Sequence, residues 1–141
     1  MSAALTFDNF AFSYQTATKA ELLTERLAAQ PNQDGHPLIG PLCTEIEEGS
    51  FTLITGATGC GKTTLLRCCK PELAPNGIHT GAIKIFGKDS STLSVEESAS
   101  TIGFVMQNPD NQLVCSEPWH ELAFGLENLA VSQDAMRRRV A

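Results

Sequence analysis

The stretch Gly56-Ala57-Thr58-Gly59-Cys60-Gly61-Lys62-Thr63-Thr64 constrains the fold more than any other part of the chain. It fits the spacing G-x-x-x-x-G-K-[ST] of a phosphate-binding loop, and it does so in the context that the chemistry needs. The apolar run Phe51-Thr52-Leu53-Ile54-Thr55 before it reads as a buried strand, and Lys62 to Arg67 after it reads as a helix. A diphosphate or triphosphate requires many donors converging on a small volume, and glycines let the backbone curl until its N–H groups point inward. The helix adds its first-turn N–H groups and the positive end of its dipole. Lys62 can reach the terminal phosphates, and the Thr63 hydroxyl can bind a magnesium ion. A glycine-rich turn beside a surface lysine is the plain alternative, and the flanking patterns weigh against it.

Composition sets the outer bounds. With 141 residues, 42% of them hydrophobic, the chain can bury one real core, and nothing argues for two complete domains. The net charge of -6 argues against a nucleic-acid partner, because neutralising a phosphate backbone takes clustered Lys and Arg, and the only basic cluster is Arg137-Arg138-Arg139. No apolar run approaches the length of a membrane span, and the N-terminus lacks a signal-peptide pattern, so a cytosolic chain is expected. Five cysteines, at 43, 60, 68, 69 and 115, show no paired C-x-x-C spacing. They read as reduced thiols serving as small apolar residues.

Taken in order, Leu5 to Tyr14 alternates as a strand with Phe10, Phe12 and Tyr14 on one face. Thr16 to Gln30 reads as a short helix with a capping box at Thr18-Lys19-Ala20-Glu21. A strand from Leu42 turns at Glu48-Gly49 into the run that feeds the phosphate loop. After the loop, Leu65, Leu66, Cys68 and Cys69 give the helix an apolar side, and Pro71 stops it. Gly81 to Phe86 reads as a strand, Ser94 to Ser100 as a helix, and Ile102 to Met106 as another apolar strand. Alternating strand and helix patterns from residue 51 onward predict an α/β core with part of its sheet parallel.

The segment beyond narrows the reading. Gln107-Asn108-Pro109-Asp110-Asn111-Gln112-Leu113 leaves the last strand as a polar loop, and Pro118 opens a helix through Ala130. With Val105-Met106 before that loop and Glu121-Leu122-Ala123-Phe124-Gly125-Leu126-Glu127-Asn128 after it, the chain resembles the ATP-binding cassette ATPases. Within them it is similar to the energy-coupling-factor and cobalt-type importer subunits. The resemblance covers nearly the whole chain in a consistent order of motifs.

It implies a P-loop NTPase-type α/β core with an N-terminal antiparallel β portion and the start of a helical subdomain. Residues 1–141 would be the N-terminal part of one domain, with a core over 1–115, an insert at 16–30 and the helical subdomain from 116 to 141. Tyr14 would stack on adenine. Gly56, Ala57, Thr58, Gly59, Cys60, Gly61, Lys62, Thr63 and Thr64 would cradle the phosphates of ATP, and Thr63 and Gln107 would hold Mg2+. Lys62 and Gln107 would be the catalytic residues, with Gln107 also near the attacking water and sensing the membrane partner. Physics agrees for Gln107, since a neutral amide at a strand's carboxyl end offers an acceptor to a metal and a donor to oxygen. A core tyrosine and a plain loop amide are the bland readings of Tyr14 and Gln107.

The implied partners are a second ABC ATPase subunit and an integral membrane transporter subunit, and the implied location is the cytoplasmic side of the membrane. Along the helix from Pro118, the residues Trp119, Leu122, Ala123, Leu126, Leu129 and Ala130 form an apolar stripe, with Phe124 on the polar side beside Glu121 and Asn128. Phe124 and the loop 108–114 would either form a groove for a helix of the membrane subunit or be covered by more of the same domain.

The departures matter too. The 16–30 insert lies where the family has a shorter connection, and Cys60 fills a position more often Ser or Ala. A thiol beside a helix N-terminus would be shielded by bound nucleotide, the plain alternative being that Cys60 is simply a small tolerated residue. The chain carries no LSGGQ-like signature, no apolar strand ending in a magnesium-binding Asp with Glu after it, and no switch histidine, so hydrolysis by these residues alone is not expected. Three functions stay open: the motor subunit of a vitamin or transition-metal importer, a soluble P-loop kinase of small molecules, and a non-catalytic nucleotide-binding module.

Overall fold

The computed structural model describes residues 2–14 and 37–141, so the expected helix at 16–30 lies outside the described residues. The chain divides into two compact units, one ending at Ser98 and the other running from Ala99 to Ala141.

The first unit is built on a four-stranded sheet in the order β2-β1-β3-β4, formed by β1 (Ala3–Tyr14), β2 (Ile39–Glu47), β3 (Gly77–Ile85) and β4 (Lys88–Asp89). All its pairings are antiparallel. The central strand β1 is the aromatic segment, and Phe7, Phe10 and Phe12 are buried with Ile39, Ile83, Ile85 and Cys68. Phe7 and Phe10 are three apart, which in a regular strand would put them on opposite faces. Asn9 resolves this with a φ of 49° and a register shift, so that the two rings meet at 6.1 Å. Gly81 faces that bulge with a φ of 71°, and a Cβ there would lie 2.2 Å from the Asn9 carbonyl oxygen. Only glycine lets β3 approach so closely.

The helix after the loop is α1 (Lys62–Cys68), and it buries Thr64 and Cys68, one turn apart. Leu66 is exposed, so the buried side is rotated from the expected apolar one. Burial pushes the Cys68 thiol up to about 11. Burial and the neighbouring Cys68 push Cys69 up to about 12. Both remain neutral thiols, as their use as apolar residues requires. Pro71 lacks the N–H that would continue the helix and opens a 3-10 turn, Pro71–Leu73. That turn is tied to α2 (Val95–Thr101) by the fully buried Ser98, whose hydroxyl donates to Glu72 Oε2 at 2.8 Å and accepts from Lys70 Nζ at 3.3 Å. Desolvation opposes ionisation of Glu72, but the hydrogen bonds from Ser98 and the backbone, with Lys70 nearby, hold its carboxyl below the usual range.

Two expected strands are not in the sheet. Residues 51–55 and 102–106 form no ladder, and Phe51 is 91% exposed and Val105 77% exposed. A continuously apolar strand is stable when neighbours flank both its edges and cover both its faces. Among the described residues neither segment has such neighbours, so the sheet described is wholly antiparallel rather than partly parallel.

The second unit holds α3 (Pro118–Asn128) and α4 (Gln133–Val140), which pack on each other. Between them lies a groove of about 490 Å³ lined by Trp119, Ala123, Met136 and Val140. The apolar stripe expected along α3 is only partly covered, because Trp119 and Leu122 remain exposed, as does Phe124. No helix among the described residues is long and apolar enough to cross a membrane.

Candidate phosphate-binding site

Residues 56–61 curl tightly enough that the helix behind them starts at Lys62. Gly59 has a φ of 85° and Gly61 a φ of 95°, a region that side-chain-bearing residues rarely adopt. Gly61 serves as the helix cap, and its carbonyl accepts the first helical hydrogen bond from Leu65 N at 2.8 Å. A Cβ on Gly56 would lie 2.8 Å from Cys60 Sγ, so the two ends of the curl touch.

The curl folds around one cation. Lys62 Nζ donates to the carbonyls of Gly56 and Ala57, each at 2.8 Å, and lies 3.6 Å from Cys60 Sγ. These three contacts account for the three donors of an ammonium, the one to sulfur being the weakest and the first that a phosphate oxygen would displace. No acidic residue stands in the first turn of α1, whose N–H groups have no carbonyl one turn behind them. Donors, positive charge and helix dipole therefore converge with no carboxylate in that turn, an arrangement that fits a diphosphate or triphosphate. Thr63 is exposed beside this site, where its hydroxyl could hold a cation.

Tyr14 lies at the end of β1 and reaches the same helix. Its hydroxyl is hydrogen-bonded to Thr64 Oγ1 at 2.9 Å, while its ring meets Phe12 edge-on at 5.1 Å. The structure thus brings Tyr14, Gly56, Ala57, Cys60, Lys62 and Thr64 into one neighbourhood of the first unit. Sequence reasoning placed Tyr14 over the base and missed its link to Thr64, which is 50 positions away.

Gln107 belongs to the second unit and is exposed at the head of the loop that contains the 3-10 turn Pro109–Gln112. Two side chains that the sequence did not single out for this purpose brace that loop. Gln112 Oε1 accepts from Met106 N at 2.7 Å, and its Nε2 donates to the Phe104 carbonyl at 3.1 Å. One side-chain amide thereby satisfies the donor and acceptor that a neighbouring strand would have met. Glu121 Oε2 accepts from Val114 N at 3.0 Å and Cys115 N at 2.7 Å, and these backbone donors hold its carboxyl below the usual range. Glu121 reads from sequence as a solvated polar-face residue, and nothing local marks it as a loop brace.

The family profile described as ABC transporter matches residues 40–139. Over 108 residues the chain is 36% identical to the energy-coupling factor transporter ATP-binding protein EcfA1 of Enterococcus faecalis, covering 77% of this chain and 38% of that protein. It is 37% identical over 107 residues to EcfA1 of Mycoplasmopsis synoviae, covering 76% of this chain and 39% of that protein. The chain spans between 16% and 39% of the length of the curated relatives compared with it. No solved structure matches it. The profile runs from β2 through the phosphate loop to the end of α4, so the match is not confined to one motif, and the chain belongs to the ATP-binding proteins of the ABC transporter family.

Proposed function

We propose that the chain binds ATP through residues 56–64 and forms the nucleotide-holding part of an ATPase subunit that powers solute import. The observation that carries this reading is the curl of 56–61 around the Lys62 ammonium, with the open first turn of α1 behind it and no carboxylate in that turn. In this reading Lys62 and the loop N–H groups hold the phosphates, Thr63 holds Mg2+, and Tyr14 supplies the flat surface for the base. Bound magnesium would supply charge neutralisation for phosphoryl transfer. Hydrolysis would belong to a two-subunit assembly on the cytoplasmic side of a membrane, coupled to a membrane-embedded partner. The names of the two EcfA1 relatives support an energy-coupling type of import. Residues 116–141 would begin the helical subdomain that meets the partner.

Calorimetric titration of the chain with Mg-ADP tests the first step. Saturable heat at one site supports it, and no heat at millimolar ADP overturns it.

Cys60 offers a second, independent reading of where the ligand sits. Cys43 and Cys60 are exposed, whereas Cys68 is buried, so iodoacetamide at mildly alkaline pH is expected to label the first two. Mg-ADP should slow labelling of Cys60 several-fold and leave Cys43 unchanged, as mass spectrometry of the peptides would show. Equal labelling of Cys60 with and without nucleotide would place the ligand elsewhere.

A further inference from the structure

Tyr14 is held at three points. Its backbone ends the central strand and pairs with Gly77 on β3. Its ring rests at 85° against that of Phe12, which is 2% exposed. Gly77 is what admits the Phe12 ring, since a Cβ there would lie 2.5 Å from two of the ring carbons. The third point is the hydroxyl, bonded to Thr64 Oγ1 at 2.9 Å. Thr64 is itself 9% exposed, sits in the first turn of α1 and follows Lys62 by two residues. Despite these anchors Tyr14 stays 47% exposed, so a large part of a fixed aromatic ring is left open beside the phosphate loop.

A phenol tethered at only one end would swing about its first two torsions, and ordering it would oppose binding. The hydrogen bond to Thr64 removes that freedom beforehand, which is the usual source of gain from preorganisation. We infer that Thr64 is a positioning residue for Tyr14: the hydroxyl pair locks the ring next to the phosphate loop, so that the site favours a phosphate chain carrying a flat base over a bare polyphosphate. This inference rests on the nucleotide-binding reading above. It assigns the discrimination to a hydrogen bond rather than to the ring alone.

The test is a double-mutant cycle on the full chain, titrated in parallel with Mg-ADP and with magnesium tripolyphosphate. Tyr14→Phe keeps the ring and loses the tether. It is expected to weaken ADP binding roughly 2- to 10-fold, the range of one net hydrogen bond, and to affect tripolyphosphate binding much less. In a Thr64→Val background the same Tyr14→Phe step should have no further effect on ADP. Thr64→Ser, which retains a hydroxyl and is the milder change should Val disturb the helix, should restore the sensitivity to Tyr14→Phe. The inference is overturned if Tyr14→Phe alters both ligands equally, alters neither, or acts undiminished when Thr64 has lost its hydroxyl. Failure of the unsubstituted chain to bind either ligand would instead overturn the nucleotide-binding reading.

Discussion

Replacing Lys62 with alanine is expected to weaken Mg-ADP binding by about 100-fold or more, to below detection in a calorimetric titration. Two losses combine. The ammonium bonds to the carbonyls of Gly56 and Ala57, each at 2.8 Å, and so closes the curl. Its charge would also be lost to a terminal phosphate, and a charge-assisted hydrogen bond contributes about 1.5–3 kcal/mol. Lys62→Arg keeps the charge, but a planar fork cannot follow the compact geometry of an ammonium wedged between two carbonyls. It should recover only a small part of the loss. An alanine variant that binds ADP within about threefold of the original would remove the phosphate loop from the account.

The largest effect on stability is expected at Gly81. A Cβ at this position would lie 2.2 Å from Asn9 O and 2.4 Å from Asp8 O, both backbone atoms of the central strand. Backbone cannot rotate away as a flexible side chain can, so the β1–β3 ladder must part where it carries the bulge. Gly81→Val also forces a β-branched residue to a φ of 71°. Strain and lost pairing together should cost at least about 3 kcal/mol, or roughly 10 °C in melting temperature for a chain of this size. Gly87→Ala is the informative control, because its φ is 79° yet an added Cβ meets nothing within 4 Å. It isolates the conformational penalty and should cost about 1 kcal/mol. Circular-dichroism melts of the two variants would read the difference. A Gly81→Val variant melting within about 2 °C of the original would mean that the bulge is not where the structure has it.

What could be read in advance follows from how each feature is written into the chain. The phosphate loop was legible because its chemistry fixes residue types at fixed spacings, and α1 begins at Lys62 as that spacing requires. The strands β1, β2 and β3 were legible from alternation, although Phe7 and Phe10 fall out of phase until Asn9 takes a left-handed conformation. No periodicity reports such a residue. Residues 51–55 and 102–106 are apolar in the manner of strands, but pairing depends on a neighbour that local pattern does not supply. The links that shape the sites were the least visible. Tyr14 to Thr64, Gln112 to the backbone of 104 and 106, and Glu121 to Val114 and Cys115 are each a side chain meeting a group that composition leaves unmarked.

The bare ribbon ahead of the phosphate loop has a practical consequence for anyone handling this polypeptide. Phe51, Leu53 and Ile54 stand in the open on a run without proline or charge, next to main-chain groups that no ladder claims. Such a stretch templates sticking between copies. These side chains therefore add to the apolar surface through which copies of the polypeptide can associate, and dilute preparations will outlast concentrated ones.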